Sequence, residues 1–313
     1  MSDAQYDCII IGGGPAGLTA GLYLSRARVN VLLLERAVCG GQILVSDWVE
    51  NYPGFPEGIS GADLVFKMSK QAERFGLEVQ TAEVTSVDFA GDVKQIHCGD
   101  KTYTTKSVIL ATGATPRRLG VPGENEFYGR GVSFCATCDA PFYKDRTVVA
   151  VGGGDTAVQE SLFLTKFAKK VYLVHRRDAL RAAKVLQERA FANERLEIVW
   201  DSVVTGVKGM FNLEGVAVRN VKTGEESLLA AEGCFIWVGI VPLTGYLRDA
   251  VEKDEVGFVV ANGRMETSAP GVFAAGDIRT TPLRQVVTAV GDAAIAAVSV
   301  EHYLDNVEAE QTW

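Results

Sequence analysis

Cys8-Ile9-Ile10-Ile11-Gly12-Gly13-Gly14-Pro15-Ala16-Gly17 decides the fold, because the chain writes it again as Val148-Val149-Ala150-Val151-Gly152-Gly153-Gly154-Asp155-Thr156-Ala157. Each copy is an apolar strand, a G-x-G-x-x-G/A turn and a helical pattern. Glycine is needed there for the tight bend, for close approach of backbone to a pyrophosphate and for helix-on-strand packing. The helix start then offers free N–H groups and a positive dipole end to phosphates. Each copy leads to a second apolar strand, Val31 to Leu34 and Val171 to Val174. The first ends at Glu35, the second at His175-Arg176-Arg177 with Arg181 one turn further. An acid at that point accepts hydrogen bonds from a ribose 2′-hydroxyl, whereas a basic cluster pairs with a 2′-phosphate. Arginine suits the second task because its planar fork binds phosphate oxygens bidentately. Cations are out of place at a helix start, which strengthens that reading. Two different dinucleotides are expected on one chain, the second of them NADPH rather than NADH.

At 313 residues the chain is long enough for two domains. Its hydrophobic content of 47% and charged content of 22% are those of a globular protein. A net charge of -8 argues against a nucleic-acid footprint. No stretch reads as a signal peptide, and even Val286 to Val300 is broken by Gly291 and Asp292 before it reaches a membrane span. No membrane partner is expected, and the expected location is the cytoplasm, where structural disulfides are rare. Cys8, Cys39, Cys98 and Cys234 are then free thiols, with Cys8 and Cys234 as small core residues of strands. Trp200 and Trp237 fall in strand patterns and read as core, whereas Trp48 and Trp313 are not assignable.

Between the two glycine motifs lies Cys135-Ala136-Thr137-Cys138-Asp139. A zinc site would want a second Cys or His pair, and His97, His175 and His302 form no close pair. A dithiol/disulfide couple is the better reading. Asp139 directly after it can handle the proton of thiol–disulfide exchange, or simply cap a turn.

Along the chain, the first strand feeds a helix from about Ala16 to Arg26, then Val31 to Leu34. A helix from Gly61 to Phe75 precedes strands near Glu78–Thr85, Lys94–His97 and Ser107–Leu110. Pro116, Gly120, Pro122 and Gly123 mark a crossing to a second domain. A strand at Cys234–Val238, then Gly239 and Pro242, marks the return, and a long helix from about Arg284 to Leu304 closes the chain. The predicted fold is α/β, with two Rossmann-like three-layer nucleotide-binding domains, the second inserted into the first. The expected boundaries are 1–117, 118–244 and 245–313.

Taken together, these residues resemble the low-molecular-weight thioredoxin reductases, FAD enzymes of the pyridine nucleotide–disulfide oxidoreductase superfamily. The likeness covers essentially the whole chain. Its strongest tokens are Cys135-x-x-Cys138-Asp139 just before the second glycine motif, and His175-Arg176-Arg177-x-x-x-Arg181. Gly40-Gly41-Gln42, Glu50-Asn51-Tyr52-Pro53-Gly54-Phe55, Ala111-Thr112-Gly113-Ala114, Gly276-Asp277 and Arg284-Gln285 also match. The resemblance implies that Gly12, Gly14, Pro15, Ala16, Gly17 and Glu35 hold the pyrophosphate and ribose of FAD. Gly41, Gln42, Asn51, Val84, Ala111, Thr112, Gly113, Gly276, Asp277, Arg284, Gln285 and Val286 would lie along the rest of it. Gly154, Asp155, Thr156, His175, Arg176, Arg177 and Arg181 would form the NADPH site. Leu243 stands where similar enzymes often carry asparagine.

The implied reaction passes a hydride from NADPH to the flavin, then two electrons to the Cys135–Cys138 disulfide, then to a disulfide of thioredoxin. A homodimer is implied as well. Because the pair must meet both a flavin and an outside protein, the inserted domain is expected to rotate about its crossings. The alternatives are a flavoprotein reductase of another electron carrier or redox protein, which the cysteine pair argues against, and a non-catalytic FAD redox sensor, which the NADPH motif argues against.

Overall fold

The computed structural model describes residues 5–46, 49 and 51–311, the side chains of residues 45 and 308–311 excepted. Trp48, Glu50 and Trp313 lie outside the described residues. Two compact units result, Met1–Thr115 with Val241–Trp313, and Pro116–Ile240.

In the first unit the strands are β1 (Tyr6–Ile11), β2 (Val31–Glu35), β3 (Glu78–Thr81), β4 (Ser86–Asp88), β5 (Lys94–Cys98) and β6 (Lys101–Leu110), in the order β3-β2-β1-β6-β5-β4. The first four of that order run parallel; β5 and β4 return antiparallel. Helices α1 (Pro15–Arg26) and α2 (Gly61–Glu73) follow β1 and β2. β1 explains why both sheet faces must be covered. Cys8 and Ile10 point into one apolar core with Leu18, Leu24 and α2 residues, and Ile9 and Ile11 into another with Leu32, Leu34 and Val259. A strand apolar on every residue is that of a parallel sheet buried on both faces.

The crossings, β7 (Ala114–Pro116) and β16 (Ile240–Pro242), pair with each other. Within the second unit, β8 (Val132–Ser133), β9 (Thr147–Gly152), β10 (Lys170–Val174), β11 (Leu196–Val199) and β15 (Gly233–Trp237) form an all-parallel sheet in the order β11-β10-β9-β15-β8. Helix α3 (Ala136–Asp139) follows β8, α4 (Asp155–Leu164) follows β9, and α5 (Lys184–Phe191) follows β10. One sheet face is covered by α4 and α5, the other by an antiparallel sheet of β12 (Ser202–Gly209), β13 (Leu213–Asn220) and β14 (Glu226–Ala230). In the closing segment, β17 (Val272–Ala274) adds to β6, and α6 (Val286–Gln311) packs its Ala289, Ala293, Ala296 and Val300 on α1.

The elements differ from the sequence expectation in places. The strand expected over Glu78–Thr85 stops at Thr81, because its partner β2 ends at Glu35, whose carbonyl takes the last bond, from Ala82 N–H. β6 starts at Lys101, well before Ser107, since its polar first half pairs with β5 at the edge of the core. Arg284 and Gln285 precede α6 instead of opening it. Trp200 sits in the turn after β11, its ring edge-on to His175.

Both glycine turns are tight enough that side chains would collide. A Cβ on Gly17 would lie 1.8 Å from the Gly12 carbonyl oxygen, so α1 can begin where it does only with hydrogen at that position. In the second turn Ala157 stands there instead, and the excluded Cβ is that of Gly152, 2.5 Å from Ala157 Cβ. Gly17→Ala is expected to lower unfolding stability by about 1–3 kcal/mol, as overpacking does. A denaturant midpoint equal to the parent's would contradict this packing.

Candidate cofactor and redox sites

The first turn gathers segments from far along the chain. Gly12 lies against Ala111 and Thr112 at the end of β6, at distances a Cβ could not tolerate. The Cα of Gly14 lies 3.4 Å from where a Gly41 Cβ would be, and a Cβ on Gly276 would sit 3.1 Å from Ala16. The Gly13 N–H donates to Glu35 Oε2 at 2.7 Å, and Ala37 N–H donates to its Oε1 at 3.1 Å. Glu35 is thus held at the turn by two backbone donors. Nothing lies within 4 Å of a Cβ built on Gly14, and α1 starts there with no side-chain cap. Its first N–H groups therefore have no intrahelical partner.

Other predicted residues meet around this turn. Asn51 Nδ2 donates to Gln285 Oε1 at 3.1 Å, and Gln42 Nε2 donates to the Ala114 carbonyl. The Thr112 hydroxyl donates to the Leu243 carbonyl at 2.8 Å, while Gly113 accepts from Leu243 N–H. Leu243 thus makes both of these contacts through its backbone. Val84 lies half-buried in the segment after β3, packed on the core of Ile9 and Leu34. Val286 opens α6 and packs beside Val49 and Leu64.

Asp277 sits in a short 3-10 turn (Gly276–Ile278) after β17. Burial pushes its carboxyl up to about 6, with Arg284 opposing and Asp292 reinforcing the shift. Arg284 lies over the Phe258 ring at 4.1 Å and donates to the Thr281 carbonyl at 3.3 Å. Burial lowers its pKa as well. Its Nε, like that of Arg279, is buried without a hydrogen-bond partner. Sequence reasoning missed Asp292 as a site residue. Its Oδ2 accepts from Gly276 N–H and from Arg279 Nη1, both at 3.2 Å, and so fixes the loop that carries Asp277. The signal was an acid one helical turn beyond Thr288 on an otherwise small-residue helix.

In the second unit, Gly154 is again open, with nothing within 4 Å of a built Cβ, and α4 again starts uncapped. Thr156 is the second residue of that helix and is exposed. The loop after β10 carries Arg176, Arg177 and Arg181, all exposed. Among the described residues these three arginines make no ion pair. His175 does not join them at the surface. It is 5% exposed, with Nδ1 2.7 Å from the Gly152 carbonyl and Nε2 3.0 Å from the Ala179 carbonyl. Asp155 Oδ1 accepts from Ala183 N–H at 2.6 Å.

Cys135 and Cys138 are joined in a disulfide at the end of β8, the edge strand of the same parallel sheet. The Ser133 hydroxyl accepts from Cys135 N–H at 3.1 Å, and Trp237 Nε1 donates to the Phe134 carbonyl at 3.1 Å. Thr137 Oγ1 is 3.4 Å from Cys135 Sγ. The Asp139 N–H donates to the Cys135 carbonyl at 3.2 Å, and its carboxylate helps raise the pKa of Tyr128 and Tyr143, which burial raises first. The pair and the second glycine turn follow the carboxyl ends of parallel strands β8 and β9, the edge where open α/β sheets bind ligands. Cys8 and Cys234 are buried thiols whose pKa burial pushes up to about 12. Cys39, against Gly13, is pushed up to about 11 by burial, then by Glu35 and Glu73. None is poised as a nucleophile.

Residues 6–293 match the family described as pyridine nucleotide-disulphide oxidoreductase, and the chain belongs to that family. Within it the chain groups with the thioredoxin reductases. It is 45% identical to the thioredoxin reductase of Treponema pallidum, with 98% of this chain and 99% of that one aligned. The Bacillus subtilis thioredoxin reductase is 46% identical, with 98% of each chain covered. The crystal structure of the Streptococcus pyogenes thioredoxin reductase matches with a TM-score of 0.91 at 48% identity, over 97% of this chain and 100% of that one. The chain is an oxidoreductase of two Rossmann-like domains, and its family implies a flavin and a nicotinamide cofactor.

Asp277 gives a pH test. Its folded pKa of about 6 lies above the usual 3.8. The folded state therefore binds the proton more tightly, and its stability falls as pH rises from about 4 to above 6. Flavin-free protein is expected to lose about 2–3 kcal/mol across that window through this residue. Asp277→Asn should remove that part of the slope in denaturant titrations at several pH values, and an unchanged slope would contradict the assignment.

Proposed function

We propose that this chain is a thioredoxin-disulfide reductase that takes its electrons from NADPH by way of FAD. The observation that carries the reading is the Cys135–Cys138 disulfide at the same sheet edge as the second glycine turn. The names of the relatives supply the partner protein.

The residues fit the two cofactors. At the first turn, open Gly14, the uncapped start of α1 (Pro15, Ala16, Gly17) and Glu35 suit a pyrophosphate and a ribose. Buried Asp277 is an acceptor suited to a hydroxyl-bearing chain, and the unpartnered Nε atoms of Arg279 and Arg284 await acceptors. Gly41, Gln42, Asn51, Thr112, Gly113 and Gln285 would flank the same group. At the second turn, Gly154 and Thr156 would meet the NADPH pyrophosphate, and Arg176, Arg177 and Arg181 its 2′-phosphate. A flavin held there would supply two-electron chemistry between a nicotinamide hydride and the Cys135–Cys138 disulfide.

Two electrons and two protons break the Cys135–Cys138 bond and leave two thiols. One of them, as thiolate, attacks a sulfur of the partner's disulfide; a new S–S bond forms and the partner's other sulfur leaves as thiolate and takes a proton. The second cysteine then attacks the mixed disulfide, restores the Cys135–Cys138 bond and frees the reduced partner. Asp139 stands next to the pair to take up or return the proton, and the Thr137 hydroxyl can donate to a Cys135 thiolate. The inserted unit would rotate about its two crossings between these steps.

A second copy of the chain is the proposed assembly partner, with exposed Val287, Ile295 and Val298 of α6 as apolar surface. The cytoplasm is the proposed compartment, in keeping with the four free thiols. No helix among the described residues is long and apolar enough to cross a membrane.

NADPH oxidation by the purified protein with thioredoxin is expected to proceed through many turnovers, and Cys138→Ser should abolish it while NADPH still bleaches the flavin. Continued thioredoxin reduction by the variant would overturn the reading. So would a parent protein whose flavin NADPH reduces while thioredoxin stays oxidised.

A further inference from the structure

We infer that His175 and Asp155 are positioning residues that set nucleotide selectivity by clamping the arginine loop onto the glycine turn. The inference rests on the NADPH reading of Arg176, Arg177 and Arg181 and extends it to side chains already engaged with protein.

Residues 175–183 form an irregular stretch between β10 and α5, and four contacts fasten it to the second turn or to itself. His175 Nδ1 faces the Gly152 carbonyl and Nε2 the Ala179 carbonyl. Arg181 N–H donates to the Gly153 carbonyl at 2.8 Å. Asp155 accepts from Ala183 N–H. Gln187 braces the far end, donating from Nε2 to the Ala182 carbonyl at 2.7 Å. The imidazole lies so close over Gly153 that a Cβ there would come within 2.1 Å of the ring. The buried ring therefore fills the space that a glycine leaves, and turn and loop form one block.

The arginines at the surface of that block have long side chains and no acidic partner among the described residues. Their charge alone would draw phosphate to the region. Distinguishing a 2′-phosphate requires more: the guanidinium groups must stand at a fixed offset from the turn that meets the pyrophosphate. Only the loop backbone sets that offset. Asp155 makes the point by its cost. It puts a carboxylate in the first turn of α4, where the dipole favours an anion and where a phosphate is proposed to approach. Such a charge repels the ligand, and its retained contact is with Ala183. An asparagine would keep the accepting oxygen without the charge.

The experiment measures binding of adenosine 2′,5′-bisphosphate and of 5′-AMP by calorimetry, on flavin-loaded protein. The two probes differ only in the 2′-phosphate. Steady-state KM values for NADPH and NADH give a second ratio. Asp155→Ala is expected to cut the preference for the bisphosphate about tenfold, the scale of one lost hydrogen bond to a charged group. Binding of 5′-AMP should not weaken, because the turn is kept and the repelling carboxylate is gone. Asp155→Asn should restore the preference. His175→Phe keeps a ring over Gly153 but loses both carbonyl contacts, and should reproduce the Asp155→Ala loss. If Asp155→Ala does not fold, Asp155→Asn and His175→Phe still decide the matter. Equal weakening of both probes, or no change in their ratio, would overturn the clamp. Arg177→Ala with Arg181→Ala separates the two levels. If that double variant keeps the full preference, the NADPH reading itself fails; if it loses the preference while the Asp155 and His175 variants keep it, only the clamp fails.

Discussion

Close backbone approach at two glycine turns is the constraint on which the rest of this molecule depends. A parallel strand that ends in a helix leaves N–H groups without partners and a dipole end exposed. Those groups can face a ligand only if no Cβ intervenes. At Gly12 the end of β6 occupies that space, at Gly17 the turn itself, and at Gly14 nothing does. Distant segments are drawn in because each fills a place that a side chain would have taken. Ala111 and Thr112 reach the first turn in this way, while Gly41 and Gly276 come close to it because they carry no Cβ of their own.

The two turns share a backbone and differ in the residue that ends the next strand. Glu35 takes an N–H from Gly13, so an acid stands fixed beside the first turn. His175 faces the Gly152 carbonyl, so a donor ring stands beside the second and the loop beyond it turns its arginines to solvent. One duplicated geometry thereby suits, on the proposed reading, two ligands of different charge. The redox pair adds nothing to either turn. It uses the same sheet edge from a strand of two residues, β8, held at its end by Ser133 and Trp237.

Much of this was legible in the sequence, because glycine spacing and apolar strands are local signals. The α/β class and the inserted second domain follow from them, and the pairing of Cys135 with Cys138 from the Cys-x-x-Cys spacing. Contacts made across long separations were not legible. Asp292 holds the Asp277 loop from a helix of small residues; the acid there is visible in the sequence, but its partners Gly276 and Arg279, 13 to 16 residues away, are not. The antiparallel sheet of β12 to β14 escaped notice because register shifts at Val204/Gly206 and Lys208/Gly209 blur its alternation. His175 read as one charge among four. Its burial depends on the empty face of Gly153, which a sequence does not display.

The central claim is that nicotinamide, flavin and the Cys135–Cys138 disulfide form one electron path within this chain. An anaerobic titration of the oxidised protein with NADPH, with thiols counted at each point, tests it most directly. Two centres that each take an electron pair predict an endpoint of two equivalents per chain, with the flavin bleached and two new thiols exposed. An endpoint of one equivalent with no new thiols would contradict the account.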